Sequence, residues 1–398
     1  MASAVLLTGA TGFLGRELLK QLIDGLPNEQ IIYCLIRGHG AGSGQSSSTK
    51  PEAHAKARLN KLLEELGYGD PTVASVARVK PILGDISHLH LGIDPEVLAE
   101  LTQTVTHVYH GAATVQFDLP LPDARGINVV GTRHILELLE RIQAAGGQPR
   151  LSYIGTSFVA GRRTGRILES DLVVDQAFHN TYEQTKAEAE ALVRKQMADK
   201  GLRATLFRPS IIVGDSRTGE TSSFKVMYWP LKIFSRGLIP IVPASRAGIV
   251  DMVPVDYVIA AIWELSRRED TIGGCYHLAA GPEGSTTIGA ALHQAAAFFR
   301  VRKPLFVPTA LFERYVRPLF HLFFRGKRRK ALDAGRVYVP YLSYQASFDT
   351  SNTRRALATS GITPPNVAGY FAKLMQFCVD SDWGKRSVRT STTGRPGQ

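Results

Sequence analysis

The chain has 398 residues, 44% hydrophobic and 21% charged, a balance that excludes disordered, fibrous and disulfide-stapled classes and allows a sizeable core. Its formal net charge of +12, with a pI near 9.6, points to an anionic ligand, a membrane surface or an acidic protein partner. Nucleic acid is set aside, because no zinc-finger, basic-zipper or RNA-binding signature appears and the basic residues are dispersed apart from two C-terminal clusters.

In chain order, the opening MASAVLLTGATGFLG lacks a basic n-region, and its glycines interrupt any continuous apolar core, so it reads as a strand and turn rather than a signal peptide. The helix RELLKQLIDGL follows, then short apolar runs at QIIYCLI, RVKPILGD, THVYHGAA and RLSYIGTS, with further strands expected at ATLFRPSIIVG and GCYHLAA. Strands alternating with helical patterns predict an α/β fold, a Rossmann-type doubly wound parallel sheet with a smaller, mainly helical C-terminal substrate lobe. The expected organisation is a dinucleotide-binding domain over 1–280, with 215–249 contributing to the substrate lobe, the lobe itself over 281–384, and a disordered tail over 385–398. The Gly- and Ser-rich stretch 38–52 predicts a mobile loop after the second strand. Cys34, Cys275 and Cys378 show neither disulfide nor zinc spacing, so a cytoplasmic, reducing location and no metal are expected.

Thr8 to Gly15 joins the first strand to the first helix, which sets its glycines where a pyrophosphate meets a helix N-terminus with free N–H donors. The acidic residue that would bind a ribose 2′-hydroxyl is missing at the end of the second strand, where Leu35-Ile36-Arg37 stands instead. Arg37, with Arg58 as a second cation, favours a 2′-phosphate and hence NADPH over NADH.

Tyr182 and Lys186 open the helical run TYEQTKAEAEALVRKQM one turn apart on one face. A neighbouring ammonium is expected to lower the phenol's pKa, so that it exchanges a proton with a carbonyl or hydroxyl oxygen while hydride moves at the adjacent carbon. Upstream, LSYIGTSFVAG reads as a buried strand ending in two hydroxyls, of which Thr156 is the candidate and Ser157 the alternative.

With these blocks in place the sequence resembles the extended short-chain dehydrogenases, and within them the thioester reductase and fatty acyl-CoA reductase branch. The resemblance runs from about Val5 to Tyr257, through TGATGFLG, LIRG, LGDIS, HGAATVQFD, NVVGTRHILELL, YIGTSFVAG, NTYEQTKAEAE, RPSIIVGDSRTG and VDMVPVDYV. It implies cofactor contacts from Gly9, Thr11, Gly12, Phe13, Leu14 and Gly15, with Arg37 and Arg58 at the adenosine phosphate. It further implies Asp85 and Ile86 near adenine, Ala112 and Ala113 beside the ribose, Tyr182 and Lys186 at the reacting end, and Pro209, Ser210 and Ile211 near nicotinamide. The implied reaction is hydride transfer to the carbonyl of an acyl group carried on CoA or a carrier protein, with Tyr182, Thr156 and Lys186 stabilising the oxyanion. Collapse of the hemithioacetal gives aldehyde and thiol, and a second transfer would give the alcohol. The Thr-Ser pair replaces the family's Ser-Thr, and beyond Gly281 little matches, so substrate preference is not carried over.

Two rival readings use the same residues differently. An extended dehydrogenase acting on a sterol or nucleotide sugar would apply Tyr182 and Lys186 to a secondary alcohol, whereas a dinucleotide-sensing protein often lacks that pair. The segment 304–330, aromatic and aliphatic with a basic end, reads equally as a membrane-surface or acyl-entrance element and as a core-packed helix. No apolar run reaches the roughly 18 residues needed to span a bilayer. His110 is expected to be structural, Asp251 and Asp256 to set local backbone geometry, and Phe224, Tyr228 and Trp229 to pack in the core unless they shape an acyl pocket.

Overall fold

The structure is a computed structural model that describes residues 3–38, 51–316, 318, 326 and 335–386. Most of the Gly/Ser-rich stretch, the basic end of the 304–330 segment and residues 387–398 of the tail lie outside the described residues.

Apolar runs without polar alternation need cover on both faces, and the strands they form lie in the middle of three layers. Seven parallel strands form the sheet: β1 (Ala4–Thr8), β2 (Ile31–Ile36), β3 (Val79–Leu83), β4 (Val105–His110), β5 (Arg150–Ile154), β7 (Arg203–Pro209) and β12 (Cys275–Leu278). Their spatial order is β12-β7-β5-β4-β1-β2-β3. In β1 the side chains alternate between layers. Val5 and Leu7 face the layer of α1 (Phe13–Gly25), α2 (Pro51–Glu65), the short α3 (Ala74–Ala77) and α8 (Val255–Ser266), whereas Ala4 and Leu6 face α4 (Pro95–Thr104), α5 (Leu121–Ala144) and α6 (Thr181–Lys200). The period of α1 buries Leu18, Leu19, Leu22 and Ile23 on one stripe, each worth roughly 1.5–3 kcal/mol over exposure.

Strand order reverses between β1 and β4, which pair with Thr8 opposite His110. At such a reversal the connections leave to opposite sides, so a crevice opens beyond the carboxyl ends of the two strands.

The remaining strands are short pairs that carry the chain away from the sheet. They are β6 (Gly165–Ile167) with β15 (Ala346–Phe348), β8 (Ile211–Val213) with β11 (Met252–Pro254), β9 (Ile241–Pro243) with β14 (Leu305–Val307), and β10 (Ile249–Val250) with β13 (Thr286–Thr287). Helix α7 (Tyr228–Phe234) and the helices Ile288–Phe299 and Val367–Asp380 complete the smaller lobe, whereas Ser351–Leu357 returns to pack Leu357 against the core of the main sheet. Glu169, just after β6, is almost wholly buried and accepts from the backbone N–H groups of His277, Asn352 and Thr353 and from the Thr353 hydroxyl, which ties the late chain to the sheet. All three cysteines are buried free thiols. Among the described residues, no helix is long and apolar enough to cross a membrane.

Candidate active site

The glycine turn is built for close approach. Gly9 has φ +83, and a Cβ there would sit 2.8 Å from the Ala112 nitrogen; a Cβ on Gly15 would lie 2.0 Å from the Gly9 oxygen. The Gly12 N–H donates to the Gly9 carbonyl at 2.9 Å, closing the turn. Gly12 then caps α1 without a side-chain hydrogen bond, and no acidic residue occupies the first turn. The helix end therefore offers its N–H groups and partial positive charge outward, as a pyrophosphate requires. Thr11, Phe13 and Leu14 belong to the same turn and the first helical turn.

Arg37 follows β2 as an exposed residue, and the Arg58 guanidinium reaches from α2 to donate to the Arg37 carbonyl at 2.7 Å. Burial, followed by the Arg37 charge, pushes the Arg58 pKa down, so two cations stand side by side where an acid would stand in an NAD-type site. Asp85 turns its carboxylate into its own loop, accepting from the Ser87 N–H at 2.9 Å and hydroxyl at 2.8 Å. Ile86 is buried against Gly131, and its carbonyl bonds His134 Nδ1 at 2.8 Å. Ala112 follows β4 and its N–H donates to Thr8 Oγ1 at 3.3 Å, with Ala113 next in the chain.

His110 bonds Thr8 Oγ1 at 2.8 Å and Thr132 Oγ1 at 3.1 Å, and burial, with Lys186 nearby, depresses its pKa to about 3. A neutral imidazole bonded on both nitrogens is a strut, as expected from the sequence.

Helix α6 starts where Asn180 accepts the Glu183 N–H at 3.0 Å, a cap that fixes the first turn carrying Tyr182. Lys186 donates to the Ile154 carbonyl at 2.8 Å and lies 4.6 Å from the centroid of the Tyr153 ring. Burial lowers its pKa to about 8, against the opposing pull of Glu190. The expected lowering of the Tyr182 phenol does not occur: burial raises it to about 12, Glu183 adds to the rise, and a hydrogen bond with Thr156 opposes it. The physical reason is that Lys186 points its charge at the Ile154 carbonyl, while the half-buried phenol packs among aromatics, its ring 5.8 Å from that of Phe117.

Thr156 and Ser157 diverge in use. Thr156 lies beside the Tyr182 phenol, whereas Ser157 is fully buried and donates to the Arg208 carbonyl at 2.8 Å. Pro209, Ser210 and Ile211 leave the carboxyl end of β7 toward β8; the Ser210 N–H donates to the Leu278 carbonyl at 3.1 Å.

A cavity of about 570 Å³ opens onto Tyr182. Its wall is nearly all apolar, with Phe117 and Phe158 beside Tyr182 and Trp229, Ile239 and Leu292 farther along. Of the three aromatics noted in the sequence, Trp229 lines this cavity, while Tyr228 is core and its hydroxyl accepts from the Gly214 N–H at 2.8 Å. Phe224 packs against that core. Asp251 accepts from the Ala280 N–H at 2.8 Å and the Gly281 N–H at 3.0 Å, and Asp256 from the Ser216 N–H at 2.9 Å, both in the backbone-setting roles expected.

Two contributors were not singled out in the sequence. Asn128 is buried on α5, accepts the Thr114 N–H at 2.8 Å and donates to Thr185 Oγ1 at 2.9 Å, joining the loop after β4 to α6. The NVVG block that contains it was visible, but its function was not. Tyr341 donates to the buried Glu183 carboxylate and accepts from Asn180 Nδ2 at 2.6 Å, a contact across more than 150 residues for which the sequence carries no signal.

Comparison with known proteins places this architecture. Residues 7–262 match the family model described as male sterility protein. A linear gramicidin synthase of Brevibacillus parabrevis is 31% identical over 281 residues, covering 69% of this chain and 5% of that protein. A putative fatty acyl-CoA reductase of Drosophila melanogaster is 28% identical over 289 residues, covering 64% and 50%. The chain thus spans half or less of these relatives' length. The solved terminal R domain from the myxalamid PKS-NRPS biosynthetic pathway superposes with a TM-score of 0.77 at 28% identity, over 97% of this chain and 93% of that one.

Proposed function

Because the chain belongs to the male sterility protein family, within the extended short-chain dehydrogenase/reductases, we propose that it reduces an acyl thioester with NADPH to an aldehyde, and onward to the alcohol where the aldehyde stays bound. The observation that carries this reading is the apolar cavity of about 570 Å³ ending at Tyr182, a shape that takes an aliphatic chain and leaves its carbonyl at a phenolic proton donor.

The dinucleotide is held by the chain's own groups. Gly9, Gly12 and Gly15 allow the tight turn to pack on its own backbone and on Ala112, and the open N-terminus of α1 meets the charge of the pyrophosphate. The paired guanidinium groups of Arg37 and Arg58 select the 2′-phosphate, Asp85 and Ile86 border the adenine, Ala112 and Ala113 the ribose, and Pro209, Ser210 and Ile211 the nicotinamide end. When bound, the nicotinamide supplies the hydride.

Tyr182 and Thr156 then act on the acyl oxygen. With its pKa near 12, the phenol is protonated at neutral pH and donates a hydrogen bond to the oxyanion that forms as the carbonyl carbon becomes tetrahedral. Thr156 hydrogen-bonds the phenol, and Lys186, fixed on the Ile154 carbonyl, keeps a positive charge one helical turn away. The carbon–sulfur bond breaks as the oxyanion re-forms a carbonyl, and the departing thiolate takes a proton from water to leave as free thiol on CoA or on a carrier protein.

The test is NADPH oxidation, followed at the nicotinamide absorbance, with acyl-CoA of graded chain length and products identified by mass spectrometry. Turnover to aldehyde or alcohol supports the reading. Silence with all acyl thioesters, alongside turnover of a sterol or nucleotide sugar, would replace it with the secondary-alcohol alternative, which the apolar wall disfavours for so polar a group as a sugar nucleotide.

A further inference from the structure

Two surface segments far apart in sequence meet at the cavity's opening. Leu238 and Pro240 both line the cavity and are exposed, so they mark its mouth. The Leu305 N–H donates to the Pro240 carbonyl at 2.8 Å, and a Cβ on Gly237 would lie 3.8 Å from Val301 Cγ1, which sets the turn 235–238 against the segment 300–305. On this shared face Leu238 is 62% exposed and Leu305 68% exposed, the two largest values among the large apolar side chains of the lobe's described residues.

The same face carries a cluster of cations. Arg236, Arg300, Arg302 and Lys303 are all exposed there, and none makes a salt bridge among the described residues. The stretches 222–250 and 285–312 contain no Asp or Glu at all, so no acid from either segment neutralises these cations. Exposed leucines ringed by unpaired cations at the mouth of an apolar cavity cost solvation free energy in water and are matched by one environment, in which acyl chains lie beneath negative headgroups.

We propose that this face, the 236–238 turn with the 300–305 segment, docks the protein on an anionic lipid surface, with the cavity mouth turned toward the acyl chains. Docking stands on the surface alone; the further step, that an acyl chain passes from the lipid into the cavity, rests on the thioester-reductase reading. The leucines enter the interfacial region and the guanidinium and ammonium groups meet headgroup phosphates, so binding depends on anionic lipid and weakens with salt.

The experiment is co-sedimentation of the full chain, without NADPH or acyl substrate, with vesicles of phosphatidylcholine alone and of phosphatidylcholine mixed with phosphatidylglycerol. Binding to the mixed vesicles only is expected. The charge-reversed variant Arg236→Glu/Arg302→Glu/Lys303→Glu should lose at least about tenfold in affinity, and Leu238→Ser/Leu305→Ser should weaken binding at every salt concentration. A variant of equal net charge, Lys80→Glu/Arg133→Glu/Lys195→Glu, should keep most of it. Equal loss in both charge-reversed variants, no binding to mixed vesicles, or intact vesicle binding in the Arg236→Glu/Arg302→Glu/Lys303→Glu variant overturns the proposal. Because no turnover enters the binding measurement, its failure leaves the reductase reading standing, and failure of turnover leaves the docking result standing.

Discussion

The Lys186 ammonium donates to the Ile154 carbonyl at 2.8 Å, at the carboxyl end of β5, and is thereby aimed across the sheet rather than along its own helix at Tyr182. Its pKa is lowered to about 8 from an ordinary value of 10.5, so the folded state releases this proton before the unfolded chain does. Between about pH 8 and 10.5 the unfolded state binds more protons, and the Lys186 contribution to stability therefore rises with pH across that window and is flat below it. Urea midpoints measured from pH 7 to 10.5 should show this rise in the native protein relative to Lys186→Met; parallel profiles would mean the ammonium is not desolvated.

Tyr182→Phe and Lys186→Met should each lower turnover by about a hundredfold or more while leaving NADPH affinity within a fewfold, since proton donation and charge positioning act at the acyl oxygen. Single-turnover kinetics alongside equilibrium NADPH titration separates the two. Turnover retained in both variants would remove the proposed pair.

For Arg37→Ala and Arg58→Ala the expected outcome is a rise of about tenfold or more in KM for NADPH with little change for NADH, because each loses a charge-assisted contact to a phosphate that NADH lacks. Steady-state kinetics with the two cofactors decides it. An equal effect on both cofactors would assign these arginines to the fold of the β2 edge instead.

Tyr341→Phe removes the hydroxyl that bridges Glu183 and Asn180. With a fully buried carboxylate short of a donor, a destabilisation of about 1–3 kcal/mol is expected in urea unfolding. An unchanged midpoint would show that Glu183 finds another partner.

In Ala291→Phe a ring is placed in the cavity wall, and the preferred acyl chain should shorten, read as a shift in kcat/KM across an acyl-CoA series. A uniform loss at all lengths would indicate general disruption rather than a filled channel.

Much of the sheet was legible because its signals are local. The apolar runs, the glycine turn at Gly9 to Gly15 and the Tyr182–Lys186 spacing each lie within one strand or one helical turn, and the strands and helices formed where those runs lie. What escaped depends on distance in sequence. Tyr341 reaches Glu183 and Asn180 only because the late chain folds back over α6, and the direction of Lys186 is set by where β5 ends, which no helical spacing encodes. The phenol's raised pKa has the same origin, since burial by Phe117 and its neighbours is a property of the assembled cavity.

The pairing of β6 with β15 joins Gly165 to Ala346 and Ile167 to Phe348, so the block that matches the family borrows a strand from the far end of the chain. A fragment cut after residue 280 would leave β6 as an open edge and Glu169 buried without its Asn352 and Thr353 donors. Such a fragment is expected to be aggregation-prone, and nicked protein to stay associated until denatured, as one cooperative unit would.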